Sequence, residues 1–277
     1  MNDMYSLESL PSQMVSSLSS LQLFSMYSTK EEESAFTEDD ERRLLEELKQ
    51  LEHIDDISIN LASESSIQSL FNSHKLQRST RGLQLICKYL KLVQLSLYTK
   101  ALHIRDCFEL QDVKINFEKE VVVYSKFSRH QCLNNLCDVD IYGCYQLLNM
   151  TWLIYAQSLQ FLSLRFCESM EKVIDDERSE VLEIEVDHLG VFSRLVSLIL
   201  KGLLKLRSIY GCALPFPSLR YIHVSGCRSL RKLPFHSNTG VSKKLEKIEE
   251  DQKWWYELKW EDQTIKHNLT PYFQPTQ

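Results

Sequence analysis

Eight cysteines, eight histidines and several dense carboxylate runs are the residues of this chain that could do chemistry. Cys132 and Cys137, with Cys144 further on, come nearest to a zinc set. A structural zinc site draws thiolates from tight Cys-x-x-Cys pairs, and this spacing contains none. A thiol–imidazole couple for nucleophilic catalysis needs a third group that orients the base, and no cysteine or histidine here has such a context in the sequence. The acidic run from Asp175 to Asp187 carries enough carboxylates for calcium, but it lacks the alternating Asp-x-Asp-x-Asp-Gly loop and its turn glycine. Glu31-Glu32-Glu33 and the stretch Glu38 to Glu41 read likewise as solvated loops. No Gly-x-x-x-x-Gly-Lys-Ser/Thr segment is present to cradle a phosphate. The expectation is a chain that is no enzyme and holds no metal and no cofactor.

Composition narrows the classes further. Seven glycines and six prolines in 277 residues are too few for a barrel or sandwich with glycine corners, while 43% hydrophobic and 25% charged residues are ordinary for a globular protein. A net charge of -6 lacks the basic field that phosphate backbones attract, so no nucleic-acid partner is expected. No apolar run reaches the ~20 residues of a transmembrane helix. The opening residues, with Glu8, Pro11 and many serines, do not read as a secretory signal. The cysteines are therefore expected to be reduced thiols. The Asn-x-Thr sequons at Asn149 and Asn268, the second followed by Pro271, are read as chance.

The elements that must position any site announce themselves by repetition. The pattern Leu-x-x-Leu-x-Leu-x-x-Cys returns, with aliphatic substitutions, at Leu136/Val139/Ile141/Cys144, Leu159/Leu162/Leu164/Cys167 and Leu219/Ile222/Val224/Cys227. Leu195/Leu198/Leu200 is a fourth copy with Leu203 in the cysteine slot, and Leu102/Ile104/Cys107 a fifth with Thr99 in the first slot. Leu92/Leu95/Leu97, Ile54/Ile57/Ile59 and Leu18/Leu21/Leu23 read as looser copies. Val139 and Leu162 are 23 residues apart and Leu198 and Ile222 are 24 apart, spacings that belong to leucine-rich repeats. Three intervals are longer, at 36, 36 and 37 residues: Leu21 to Ile57, Leu162 to Leu198 and Leu102 to Val139. Lys30 to Arg43 and the Asp175 run account for the first two as charged insertions. In the third, Val121-Val122-Val123 reads as an extra strand.

Each Leu-x-Leu pair lies on a short strand whose alternate residues point to opposite faces, aliphatics inward and the intervening residues outward. The cysteine fills the corner where the chain turns to the convex side, where its thiol can contact backbone. Leu147/Met150, Met170/Val173, Leu206/Ile209 and Leu230/Leu233 supply the apolar residues of that convex side. The fold expected is α/β: a curved, irregular leucine-rich-repeat solenoid with a parallel sheet on its concave face. Residues 1–240 are assigned to the repeats, truncated at the start where no capping helix is legible. Residues 241–277 are assigned to a terminal cap and tail in which Trp254, Trp255 and Trp260 cover the last repeat.

The outward residues form columns that a protein partner would meet. One column is His103, Asp140, Ser163, Ile199 and His223; the next is Arg105, Tyr142, Arg165, Lys201 and Ser225; the third is Ala101, Asp138, Phe161, Ser197 and Tyr221. Aromatic residues and arginine are enriched at interface hot spots. The residues singled out for binding are accordingly Arg105, Asp140, Tyr142, Phe161, Arg165, Lys201, Tyr221 and His223.

The most specific stretches are Leu7-Glu8-Ser9-Leu10-Pro11 leading into Leu18-Ser19-Ser20-Leu21-Gln22-Leu23, and the block from Leu148 through Trp152 to Cys167-Glu168-Ser169-Met170-Glu171-Lys172-Val173-Ile174. A third runs from Phe216-Pro217-Ser218-Leu219-Arg220 through Cys227 to Leu230-Arg231-Lys232-Leu233-Pro234, and the tail around Trp260-Glu261-Asp262 adds a fourth. On these residues the chain resembles the repeat region of plant coiled-coil nucleotide-binding leucine-rich-repeat disease-resistance proteins. The resemblance implies an intracellular receptor that senses a pathogen effector directly or through a guarded host protein, its repeats also restraining a nucleotide-binding switch. It implies a cytoplasmic place, with a peripheral position at the plasma membrane also open. The chain departs from the pattern in having no phosphate loop and no N-terminal coiled-coil domain, so the nucleotide-binding domain would be a partner absent from this chain. A partial gene model, a splice product and a decoy all fit that departure. The competing expectation is a substrate-recruiting subunit of a ubiquitin ligase, although no F-box helix bundle is legible before Leu18.

Overall fold

The computed structural model describes residues 15–26, 36–116, 133–175, 190–211, 214, 216–235, 242–260 and 262–276. In chain order the elements are β1 (Leu23–Met26), α1 (Glu38–Gln50), β2 (Asp56–Leu61), α2 (Glu64–Asn72), α3 (His74–Ser79), β3 (Thr80–Leu85), β4 (Leu92–Ser96), β5 (Ala101–Arg105) and β6 (Asp112–Asn116). They continue as β7 (Asp138–Tyr142), β8 (Phe161–Arg165), β9 (Ser197–Lys201), β10 (Tyr221–Ser225), β11 (Lys247–Glu250), α4 (Gln252–Glu257), α5 (Gln263–Leu269) and β12 (Phe273–Pro275). Among the described residues a ten-stranded sheet runs in the order β1-β2-β3-β5-β7-β8-β9-β10-β11-β12, and β4 pairs with β6 in a second sheet. Every pairing in both sheets is parallel.

Burial explains why the repeat folds this way. Leu102, Val139, Leu162, Leu198, Ile222 and Ile248 are direct register partners on successive strands, and all are buried. They and the second aliphatic of each strand stack into one continuous core that no single repeat could close by itself. Strands are also locked at both ends. At the entry, the amides of Arg220 and Tyr221 share the Val196 carbonyl, and those of Val196 and Ser197 share that of Gln160. At the exit, Asp106, Gly143, Phe166 and Gly202 each donate to a carbonyl one strand along.

The exit corner carries the chain through left-handed backbone at Asp106, Gly143, Phe166, Gly202 and Gly226. The corner cysteines follow it as expected. Cys107, Cys144, Cys167 and Cys227 are buried, and their thiols lie 3.5, 3.7, 3.6 and 3.6 Å from the carbonyls of Arg105, Tyr142, Arg165 and Ser225. A three-residue turn then delivers Leu110, Leu147, Met170, Leu206 and Leu230 to the core, and Met150, Val173, Ile209 and Leu233 line it from the convex side.

Two readings of the looser copies need correction. Leu92 and Leu95 lie on β4 of the back sheet and Leu97 just past its end; the concave strand of that repeat is β3, with Leu83 and Leu85 inward. Thr80 fills its first slot, and Cys87 comes one residue early, so the pattern is broken at both ends. Leu18/Leu21/Leu23 is out of phase: Leu23 is 60% exposed, and the core-facing residues of β1 are Phe24 and Met26, opposite Ile57 and Ile59. A slip of one residue exchanges the faces of a strand.

Glu38 to Glu41, finally, is the first turn of α1 and not a solvated loop. Thr37 caps it, with Asp40 returning a bond to the Thr37 amide. Glu41 is only 3% exposed, because its carboxylate accepts from the amides of Ala62 and Ser63 at 2.6 and 3.1 Å and so holds the start of α2. Glu31-Glu32-Glu33, Val121 to Val123, Cys132 and the acidic run beyond Asp175 lie outside the described residues.

Past residue 240 the sheet continues through β11 and β12. Trp254 and Trp255 are buried there. The Trp254 indole donates to the Leu230 carbonyl at 2.9 Å, and Trp255 stacks on Phe273 with centroids 4.4 Å apart and meets Trp260 edge-on at 4.9 Å.

Candidate functional site

Parallel pairing without a register break from β5 to β10 builds the outward columns. Arg105, Tyr142, Arg165 and Lys201 are successive partners, as are His103, Asp140, Ser163, Ile199 and His223. Neighbouring strands stand ~4.8 Å apart, so adjacent members of a column are in side-chain contact range.

Asp140 organises the middle of the face. Its carboxylate accepts from Arg165 Nη2 at 2.8 and 3.0 Å, and Arg105 Nη2 lies at 3.5 Å from the same group. The three side chains are 12, 27 and 15% exposed in the order Asp140, Arg165, Arg105, so solvent screens this cluster less than an open surface pair. The Arg165 guanidinium sits over the Tyr142 ring at 5.3 Å, Tyr142 meets Phe166 edge-on at 5.4 Å, and the Lys201 ammonium is 5.9 Å from the Phe166 centroid. Four of the residues expected to bind are thus brought into one cluster with a fifth, Lys201, at its margin.

The remaining three sit around it. Phe161 and Tyr221 are large exposed aromatics on either side of Ser197, at 46 and 39% exposure. Tyr221 donates its hydroxyl to Glu246, which also pairs with Arg220, and the Arg220 guanidinium lies 5.4 Å over the Tyr221 ring. These bonds hold the Glu246 carboxyl below its usual range, Tyr221 foremost and Arg220 next. His223 lies 3.3 Å from Glu249, whose carboxyl is lowered first by Lys247 and then by His223. The face is therefore basic and aromatic in its middle and charge-paired at its β10–β11 end.

Two members of this surface escape sequence reasoning. Phe166 stands in the corner slot that Gly143, Gly202 and Gly226 occupy elsewhere, and aligning the corners would have exposed it. Glu246 precedes β11, a strand whose copy of the repeat was not recognised.

The buried corner thiols have no part in the face. Burial pushes Cys107 up to about 12 and Cys227 to about 11, and a side-chain hydrogen bond of the Cys144 thiol with Cys167, followed by burial, raises Cys144. Groups so held are poor thiolates. Among the described residues no three histidine, cysteine or carboxylate side chains are grouped to hold a metal, and no helix is long and apolar enough to cross a membrane.

Known proteins resemble this chain in sequence. RPS5 of Arabidopsis thaliana, a disease resistance protein, is 31% identical over 236 residues, covering 82% of this chain and 26% of its own length. SUMM2, another from the same plant, is 28% identical over 238 residues, covering 83% and 26%. The chain thus spans about a quarter of the length of the relatives it matches. Among solved structures, the leucine-rich repeat domain of the type III effector XopL aligns over 71% of each chain at 18% identity and a TM-score of 0.34, and the fold rests on the pairing above instead. The family described as plant disease resistance protein RPS2-like, leucine-rich repeats, matches residues 106–251, more than half of the sequence, and the chain belongs to that family.

Proposed function

We propose that this chain is the recognition and regulatory module of an intracellular plant immune receptor, and that its concave face binds a pathogen effector or a guarded host protein in the cytoplasm. A nucleotide-binding domain outside this chain is the further partner that the repeats would restrain. On this reading residues 1–240 supply the recognition surface, and residues 241–277 close its end. The observation that supports it best is the unbroken register from β5 to β10, which gathers Arg105, Tyr142, Arg165 and Lys201 beside the exposed rings of Phe161 and Tyr221. Aromatic and arginine side chains on a rigid scaffold are what protein interfaces use as anchors.

The test is co-precipitation in leaf tissue of the whole chain with a panel of pathogen effectors and host proteins. Tyr142→Ala with Arg165→Ala, or Phe161→Ala with Tyr221→Ala, is expected to lose a partner that the wild type retains. Lys205→Ala, in the exposed turn after β9, is expected to keep it. A partner lost through Lys205→Ala and kept by both concave pairs would remove this face from consideration.

A further inference from the structure

Resting on that reading, we propose that the partner seats an extended segment on β8–β10. In it a carboxylate side chain lies between Arg165 and Lys201, and an apolar side chain four residues away lies in the notch between Phe161 and Tyr221.

Charge argues the first half. The column Arg105, Tyr142, Arg165, Lys201, Ser225 holds three cations and no carboxylate, in a chain of net charge -6. Asp140 stands one column away and serves both arginines. Lys201 is exposed, and among the described residues no carboxylate pairs with it; its ammonium has the Phe166 ring at 5.9 Å. An added carboxylate at that point meets Lys201 directly and Arg165 one strand away, and a basic segment would meet like charge.

Shape argues the second half. Ser197 is the direct register partner of both Phe161 and Tyr221, so the two rings flank a small residue across two strand spacings, ~10 Å. Ile199, half-buried two residues further along β9, continues the floor. Such a notch takes one aliphatic or aromatic side chain. From Ser197 to Lys201 is four residues of extended chain, ~13 Å, and a partner strand of equal length presents its residues i and i+4 to the same side. A phosphate could satisfy the cations, but it leaves the two rings uncovered.

The probes are fluorescein-labelled, glycine-flanked peptides Asp-Ser-Ser-Ser-Leu and Leu-Ser-Ser-Ser-Asp, titrated with the whole chain by anisotropy. Their counterparts carry Asn for Asp or Ser for Leu. One orientation is expected to bind at least about fivefold more tightly than either counterpart. Lys201→Glu should abolish the Asp-over-Asn preference, and Ser197→Trp, which fills the notch, the Leu-over-Ser preference; Lys205→Glu should leave both. If Ser197→Trp fails to fold by circular dichroism, Phe161→Ser reads the same notch. Equal binding of the Asp and Asn peptides in both orientations, or a preference untouched by Lys201→Glu, overturns the proposal. That failure is separable from failure of the parent reading: concave variants that lose a leaf partner while the peptides show no acid preference sink only this inference.

Discussion

Gly202 and Gly226 occupy the same left-handed corner, at φ of +65 and +67°, yet a side chain would meet different surroundings at each. A Cβ on Gly202 would lie 2.6 Å from Phe166 Cδ1, whereas one on Gly226 would find its nearest neighbour at an ordinary 3.5 Å. Both alanine variants carry the backbone strain, about 1 kcal/mol, and Gly202→Ala adds displacement of a ring, for a total of about 2–3 kcal/mol. Urea midpoints check this. In the double variant with Phe166→Ala the excess should vanish, and equal losses at the two glycines would refute the ring contact as its cause. Glu250 poses a different residue-scale problem, because it faces the core from β11, 4% exposed, two residues beyond Ile248. Burial, with Asp251 adding, raises its carboxyl to about 7. The folded chain therefore holds that proton more tightly than the unfolded one. The stability this contributes is complete below the ordinary value near 4.5 and is lost as pH rises through about 7, by at most about 3 kcal/mol. Glu250→Gln should flatten the stability profile across that window, and an unchanged slope would show that Glu250 does not titrate there. The clear repeats could be read residue by residue, since each aliphatic has one inward slot. Glu250 could not, because a carboxylate in an aliphatic column hides the column.

Elements differ in how openly they declare themselves. Strands β5 and β7–β10 were legible because two aliphatics and a corner residue, cysteine in all but β9, recur at fixed offsets. The helices between β1 and β3 were not. In α1, Leu44, Leu45 and Leu48 are buried at helical spacing, but they follow directly on the Lys30 to Arg43 run, which reads as a charged insertion. The signal that could have found the helix was Thr37 followed three residues later by Asp40, a capping pair with an unusually short acid. The Thr37 cap and the Glu41 carboxylate do unequal work at this end of α1. Thr37→Ala removes the cap alone and is expected to cost about 1 kcal/mol. Glu41→Ala strips the acceptor from the Ala62 and Ser63 amides and the Ser63 hydroxyl, and is expected to cost about 2–3 kcal/mol. Hydrogen exchange locates the difference. Amides of Ala62 and Ser63 should lose protection in Glu41→Ala and keep it in Thr37→Ala, and the reverse order would mean that α1 and α2 are joined by their leucines alone.

Across the whole molecule the parallel pairing makes stability a chain of neighbour contacts. The sheet's pairings join strands in series, and the convex side adds parallel contacts such as β4 with β6 and the bridge between Lys172 and Ser208. A lesion at one end should therefore fray that end first. Trp254 is the sharpest probe. It is buried, it donates to Leu230 in the preceding repeat, and it lies on the α4 turn directly after β11. Trp254→Ala removes a large buried ring and leaves the Leu230 carbonyl unpaired, a cost of about 3–5 kcal/mol. Exchange should rise most in β11 and β12, less in β10, and stay at the wild-type level in β2 and β3. Leu164→Ala, at the centre of the stack and of similar cost, should instead lower protection on both sides of β8. The reason lies in the register: Leu164 touches columns to the left and right, in Ile141 and Leu200, while Trp254 has its repeats on one side. A uniform loss of protection after Trp254→Ala, from β2 to β12 alike, would mean the solenoid unfolds as one unit. In that case the binding face, too, could not be loosened at one end without being lost at the other.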